Sequence, residues 1–156
     1  METRLDPRAT QTGPRFGKHL VAAHGVVAAS SLPMSVVELV NIRASQINGC
    51  GGCLDMHVKE AANAGETPLR LSLVAAWRHT TVFTEAERAA LELTEQGTRL
   101  ADAGRVTDEA WADAAEHFDD EQLMALVAQI SLINAFNRLN VLTEQLGGEY
   151  RLGRHG

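Results

Sequence analysis

The 156-residue chain is long enough for one domain that buries most of its apolar surface and too short for two ordinary ones. Its 14 Lys and Arg stand against 20 Asp and Glu, a net charge of -6, and no Lys/Arg cluster occurs, which argues against the basic face that nucleic-acid binding requires. Aromatic residues are few, Ala and Leu are abundant and strand-type alternation is hard to find, so an all-α domain is expected.

The opening METRLDPRATQTGPR is polar, contains two prolines and lacks the apolar centre of a signal peptide, so residues 1–16 are expected to form a mobile arm. From Gly17 to Ser30, Leu20, Val21, Val26 and Val27 are spaced for a modestly amphipathic helix that SSLP interrupts. SVVE at Ser35 fits the capping-box pattern, and Val36, Val37, Val40, Ala44 and Ile47 extend the next helix to the stop at Asn48-Gly49. Cys50 then falls at a new helical start.

That helix is expected to reach about Ala64, ahead of Gly65, and Thr67-Pro68 opens a short one to Trp77. TEAE at 84–87 is a second capping box, opening a helix to about Ala103, and Thr107 with Asp108 and Glu109 caps another. The longest helix spans Asp120 to Leu146. Its Leu123, Leu126, Val127, Ile130, Ile133 and Phe136 predict enclosure by other helices or a partner subunit. The uncharged run from Gln122 to Asn137 is shorter than the roughly 20 apolar residues a bilayer span needs, so a buried helix is expected and no membrane span. The tail 147–156 is expected to be loose, leaving residues 17–146 as the domain.

Only two cysteines occur, three apart in NGCGGCLDMH, with a histidine four further on. On a helix these offsets align Cys50, Cys53 and His57 along one face. A thiolate near a helix N-terminus is stabilised by the positive end of the macrodipole, and a neighbouring imidazole can take its proton, which lowers a thiol pKa from about 8.5 toward neutrality. The second cysteine can then resolve a mixed disulfide or sulfenic acid. Gly51 and Gly52 each cost roughly 1 kcal/mol inside a helix. They either let the first turn bend and a bulky substrate approach, or merely mark a frayed helix start.

Two other readings stay open. Cys, Cys and His are zinc ligands, but a closed structural site draws on a fourth ligand, and His19, His24, His79, His117 and His155 are scattered. Free cysteines also pack as small hydrophobes. In a cytoplasmic setting, expected here without a signal segment, a close cysteine pair is more often catalytic or metal-binding than a structural staple.

The stretch ELVNIRASQINGCGGCLDMHVKEAANAGE, residues 38–66, closely resembles the core motif of AhpD-like alkylhydroperoxidases in the carboxymuconolactone decarboxylase family. AWRHTTVFTEAERAALELTE and LVAQISLINAFNRLNVLTEQL resemble it too, so the likeness covers residues 17 to 146. It implies an AhpD-like helical bundle assembled as a homo-oligomer, a trimer or hexamer. It also implies thiol-dependent reduction of a hydroperoxide or disulfide, with no bound cofactor and with an external dithiol as reductant, a lipoyl group on a partner protein among the candidates. The site it implies comprises Glu38, Cys50, Cys53 and His57, with Glu38 orienting His57. As the fourth residue of SVVE, Glu38 could instead fold back on its own cap, and the two roles compete. Gly52 stands where the peroxidase branch has a histidine, so a second imidazole of its relay is missing. The decarboxylase branch typically lacks the cysteine pair. The rival from another class is a non-enzymatic redox switch or binding protein on the same fold, with occasional metal binding at the Cys/Cys/His group.

Arg43 and Gln46 are expected to brace the helix of Glu38 or join a subunit contact, and His79 to end a helix. Asn134, Asn137 and Arg138 are expected to satisfy buried backbone or cross-subunit groups, and Trp77 and Trp111 to anchor the core or an interface.

Overall fold

The computed structural model describes residues 2–153, and no strand occurs among them. After a 3₁₀ turn at Pro7–Ala9 come α1 (Thr12–Ala28), α2 (Met34–Asn48), α3 (Gly51–Asn63) and α4 (Pro68–Leu73). A 3₁₀ segment at Val74–His79 leads to α5 (Glu85–Thr98), α6 (Leu100–Ala103), α7 (Asp108–His117) and α8 (Asp120–Leu142). No helix among the described residues is long and apolar enough to cross a membrane.

Helix α2 is the centre of the bundle, packed on α3, α5 and α8. It separates two apolar clusters and is buried on both sides. Val37, Val40 and Ala44 meet Leu126, Ile130 and Ile133 of α8, together with both cysteines, in one cluster. Leu39 and Ile42 meet Val74, Trp77, Phe83 and Leu91 in the other. A helix enclosed in this way has no solvated polar face, so its polar side chains Glu38, Asn41, Arg43 and Ser45 take partners inside the chain.

Several boundaries differ from the expected ones, each for a local reason. Helix α1 starts at Thr12, inside the stretch expected to be an arm, because proline is tolerated in a first helical turn and Pro14 falls there. Helix α2 starts at Met34 behind Pro33, and Ser35 makes no side-chain cap. The capping box read in SVVE therefore does not form, and the Glu38 side chain is free for other partners. The box read in TEAE does form, with Thr84 and Glu87 bonded reciprocally. Helix α5 stops at Thr98, and the residues expected to extend it form the separate turn α6. The short helix opened by Thr67 tightens into the 3₁₀ segment at Val74, with Ala76 outside helical geometry, which turns Trp77 into the core. Helix α8 ends at Leu142, four residues early, as Glu144 takes the left-handed conformation and the Gln145 N–H turns back to the Asn140 carbonyl.

The segment after α8 departs most from expectation. It is tied down across α3 rather than loose. The Gly148 and Tyr150 N–H groups both donate to Asp55 Oδ2, at 2.6 and 2.8 Å, and Lys59 Nζ donates to the Tyr150 carbonyl at 2.9 Å. The Tyr150 hydroxyl donates to Glu60. Gly147 lies so close to the first turn of α3 that a Cβ on it would sit 2.3 Å from the Gly51 carbonyl oxygen, so only glycine fits without a backbone shift.

Candidate active site

The turn between α2 and α3 sets the cysteines. Gly49, with φ of 67°, ends α2 in the left-handed conformation that glycine adopts without steric penalty, and Cys50 becomes the N-cap of α3. Its Sγ receives the Cys53 N–H at 3.4 Å, the position a serine or aspartate oxygen takes in an ordinary cap. Cys50 and Cys53 are joined as a disulfide with Cα atoms 5.4 Å apart, and the residues are only 1% and 2% exposed. Gly51 and Gly52 keep the outer side of this turn free of side chains, and the Gln145–Gly147 backbone runs directly over it.

One turn beyond Cys53, His57 points to α2. Its Nδ1 is 2.9 Å from Glu38 Oε2, and both side chains are largely buried. With Glu38 ionised, Nδ1 carries the proton and donates to it, leaving Nε2 bare as the ring's basic nitrogen. Asn41, one turn along α2, brings its Nδ2 within 3.3 Å of the same Nδ1, and Gln129 of α8 in turn holds Asn41 Oδ1. Gln129 Oε1 is buried without a protein partner, which marks this cluster as more polar than its surroundings.

The Cys53 sulfur is supported from α8. Asn140 Nδ2 donates to Cys53 Sγ at 3.2 Å. Asn48, at the end of α2, donates to both Asn134 Oδ1 and Asn137 Oδ1 at 2.9 Å, and Asn137 Nδ2 reaches Ser45 Oγ at 3.0 Å. Asn134, Asn137 and Asn140 recur every three residues and so form one ladder along α8 facing the turn that bears the cysteines. Asn134 and Asn137 were expected to serve buried backbone or subunit contacts. Their main partners are side chains of the same chain, with one backbone bond from Asn134 to Ile130.

A second network holds α2 from its other side. The Glu95 carboxylate of α5 accepts from Arg43 Nε at 2.7 Å, from the Trp77 indole N–H at 2.8 Å and from Arg78. Burial pushes its carboxyl up, but the hydrogen bonds from Arg78, Trp77 and Arg43 outweigh burial and hold it below the usual range. Arg43 also donates to Gln46, so both residues brace the helix of Glu38. Trp77 is a core residue, whereas Trp111 is nearly half exposed. His79 ends the 3₁₀ segment.

The Lys59 ammonium, helped by the Tyr150 and Gly148 N–H groups, holds the Asp55 carboxyl below its ordinary value despite the opposing effect of burial. Glu60, accepting from the phenol, pushes the Tyr150 pKa up to about 12, with burial and the Glu60 and Glu38 charges adding to the shift. A cavity of about 510 Å³ runs beside Glu38 and Glu60, walled by Met34, Leu39, Ile42 and Leu71, and neither cysteine lines it.

Glu38, Cys50, Cys53 and His57 thus lie on two adjoining helices, with Glu38 and His57 bonded and the cysteines bonded. No hydrogen bond joins the His57 ring to either sulfur among the described residues. Nor do three His, Cys, Asp or Glu side chains among them converge to hold a metal ion. His155 lies outside the described residues.

Residues 14–96 match the carboxymuconolactone decarboxylase family, more than half of the chain. The chain is an AhpD-like member of that family. It is 42% identical over 112 residues to the uncharacterised protein YdfG of Bacillus subtilis, covering 72% of this chain and 76% of that protein. The fold is shared with a protein of unknown function from Agrobacterium tumefaciens whose suggested identity is the antioxidant defence protein AhpD. That structure has a TM-score of 0.87 and 33% identity, with 96% of this chain and all of the other covered. The debrominase Bmp8, solved with 2,3,4-tribromopyrrole, has a TM-score of 0.77 at 17% identity over 87% of this chain and 72% of its own, a likeness of fold alone. The family match thus covers all four of Glu38, Cys50, Cys53 and His57, while Asn140 and Gln129 lie beyond it, and neither they nor Asp55 are revealed as partners by spacing around the cysteines.

Proposed function

We propose that the protein is a thiol-dependent oxidoreductase that reduces hydroperoxides or disulfides through Cys50 and Cys53, with Glu38 and His57 as its proton relay. The observation that supports it most is the disulfide across the first turn of α3, one turn before an imidazole already paired with a carboxylate. A pair that closes on itself without leaving the helix can reopen with a reductant and close again at each turnover.

In the proposed cycle a thiolate of the reduced pair attacks one oxygen of a hydroperoxide. The S–O bond forms, the O–O bond breaks, and the alcohol departs with a proton returned by the relay. The second thiol displaces water from the sulfenic acid as the S–S bond forms. An external dithiol then gives up two electrons and two protons in two exchange steps, leaving as its own disulfide. A lipoyl group is a reductant of this class. His57, oriented by Glu38, takes the thiol proton directly or through water. The missing imidazole at Gly52 would slow the peroxide step and leave dithiol exchange intact. A homo-oligomer, trimer or hexamer, accords with the exposed Phe16, Val26, Met124 and Leu142, and a cytoplasmic setting would keep the pair reducible.

The burial of both sulfurs favours one second reading, a redox switch that closes its disulfide once per stimulus. Hydroperoxide consumption with excess dihydrolipoamide separates the two. Turnover far beyond protein equivalents, lost in Cys50→Ser and in Cys53→Ser, is expected of the enzyme. Oxidation limited to one equivalent, in a preparation free of metal, would replace the enzyme with the switch.

A further inference from the structure

The two sulfurs are supported by different donors. Cys50 Sγ is held by a backbone N–H at the start of α3. Cys53 Sγ is held by the side-chain amide of Asn140, in the last turn of α8, at 3.2 Å. The His57 ring spends Nδ1 on Glu38 and makes no bond to Cys53, so Asn140 is the side-chain donor on that sulfur. The Asn140 backbone is anchored, since its main-chain carbonyl accepts from the Gln145 N–H at 2.9 Å.

We propose that Asn140 is a further catalytic residue, which stabilises the Cys53 thiolate through its amide N–H. This rests on the dithiol reading above and adds to it the group that sets the acidity of one sulfur. A hydrogen bond to a charged acceptor is roughly twice as strong as one between neutral groups, so the contact seen on the disulfide strengthens when Cys53 carries charge. It lowers the thiol pKa because only the thiolate gains fully from the donor. An amide does not titrate near neutrality, so the donor is present at every pH at which the thiolate forms.

The chemistry balances in both directions. When an external thiolate attacks Cys50 Sγ, a new S–S bond forms there. The Cys50–Cys53 bond breaks, and its electron pair leaves on Cys53 beneath the Asn140 amide. When the pair closes again, the Cys53 thiolate attacks the Cys50 sulfur of the mixed disulfide, and the external thiolate departs with the electron pair. A leaving thiol of lower pKa departs faster, so the amide accelerates opening.

The test is a pH titration of thiolate ultraviolet absorbance in a Cys50→Ser background, where serine keeps the helix cap and Cys53 is the remaining cysteine. Asn140→Leu, which keeps the approximate shape without the donor, is expected to raise the Cys53 pKa by about one unit, a roughly tenfold loss of thiolate at neutral pH. Asn140→Asp, which presents a charge to the sulfur, is expected to raise it further. A residue that only packs the end of α8 would not produce that order. An unchanged pKa in Asn140→Leu with helical content intact overturns the proposal; should that variant fail to fold, Asn140→Ala gives the same decision. The titration needs no substrate, so absent peroxidase turnover would overturn the proposed function while leaving this assignment to be judged on its own readout.

Discussion

Replacing Glu95 by alanine removes one carboxylate and strands three donors in different environments. The Trp77 indole N–H lies in a residue only 4% exposed, and an unpaired donor there costs about 1–2 kcal/mol. The Arg43 side chain, 13% exposed, keeps only the neutral oxygen of Gln46, which adds about 1–2 kcal/mol, below the cost of a fully buried unpaired charge. Arg78, at 43%, returns to water and to Glu92 at little cost. The expected destabilisation is therefore about 3 kcal/mol, or about 6–12 °C in Tm for a chain of this length. Urea unfolding at fixed protein concentration measures it, beside Glu92→Ala, which is expected to cost less than about 1 kcal/mol because it removes only a partner of the exposed Arg78 and the acceptor of the Gln96 amide one turn along the same helix. The contribution has a defined pH range. The Glu95 carboxyl is depressed in the folded chain, so its share of stability is full above the unfolded value of about 4.5 and fades as pH falls through the folded value. If Glu95→Ala and Glu92→Ala proved equally mild, the reasoning that α2 is clamped through a buried carboxylate would fail.

Tyr150 is the sole tyrosine, so its ionisation can be followed by absorbance alone. Tyrosinate is expected near pH 12, and Glu60→Gln is expected to bring the transition back toward the ordinary value near 10. An ordinary transition in the unaltered chain would mean that the segment after α8 does not dock on α3 in solution. Asp55→Ala is expected to speed hydrogen exchange of the Gly148 and Tyr150 amides by about tenfold or more at neutral pH, while the amides inside α8 stay protected. The same loosening is expected in the unaltered chain on acidification. The Asp55 pKa is depressed on folding, so its tie is complete above the unfolded value of about 3.8 and is lost as pH falls through the lower folded value.

The cysteine pair was legible because its signals are local. Asn48-Gly49 stops one helix, Cys50 caps the next, and a spacing of three fixes Cys53. The pairing of Glu38 with His57 was not, since nothing in a separation of nineteen residues links two helices. Only the likeness to a family joined them, and competition from the cap at Ser35 disappears once Pro33 starts α2. Asn41, Gln129 and Asn140 escaped notice because neutral amides bear no charge pattern. The recurrence of asparagine at 134, 137 and 140 in an apolar helix was the available clue. The ties of the last segment escaped because backbone N–H groups leave no mark in a sequence, and Asp55 reads as an ordinary solvated acid until something lies across it.

The asparagine ladder has a consequence for how α8 finds its place. A helix that is apolar on nearly every side can bury similar area after sliding by a turn or rotating about its axis, so hydrophobic packing alone specifies its position weakly. Directional bonds do not tolerate such slips. Asn134 and Asn137 must meet Asn48 while Asn140 meets Cys53, and a displaced α8 would leave buried amides unpaired. These side chains index α8 against the core, rejecting near-isoenergetic alternatives more than they deepen the native minimum. A chain in which they became leucines would be expected to keep its helices and lose the single registration that sets the donor on the sulfur.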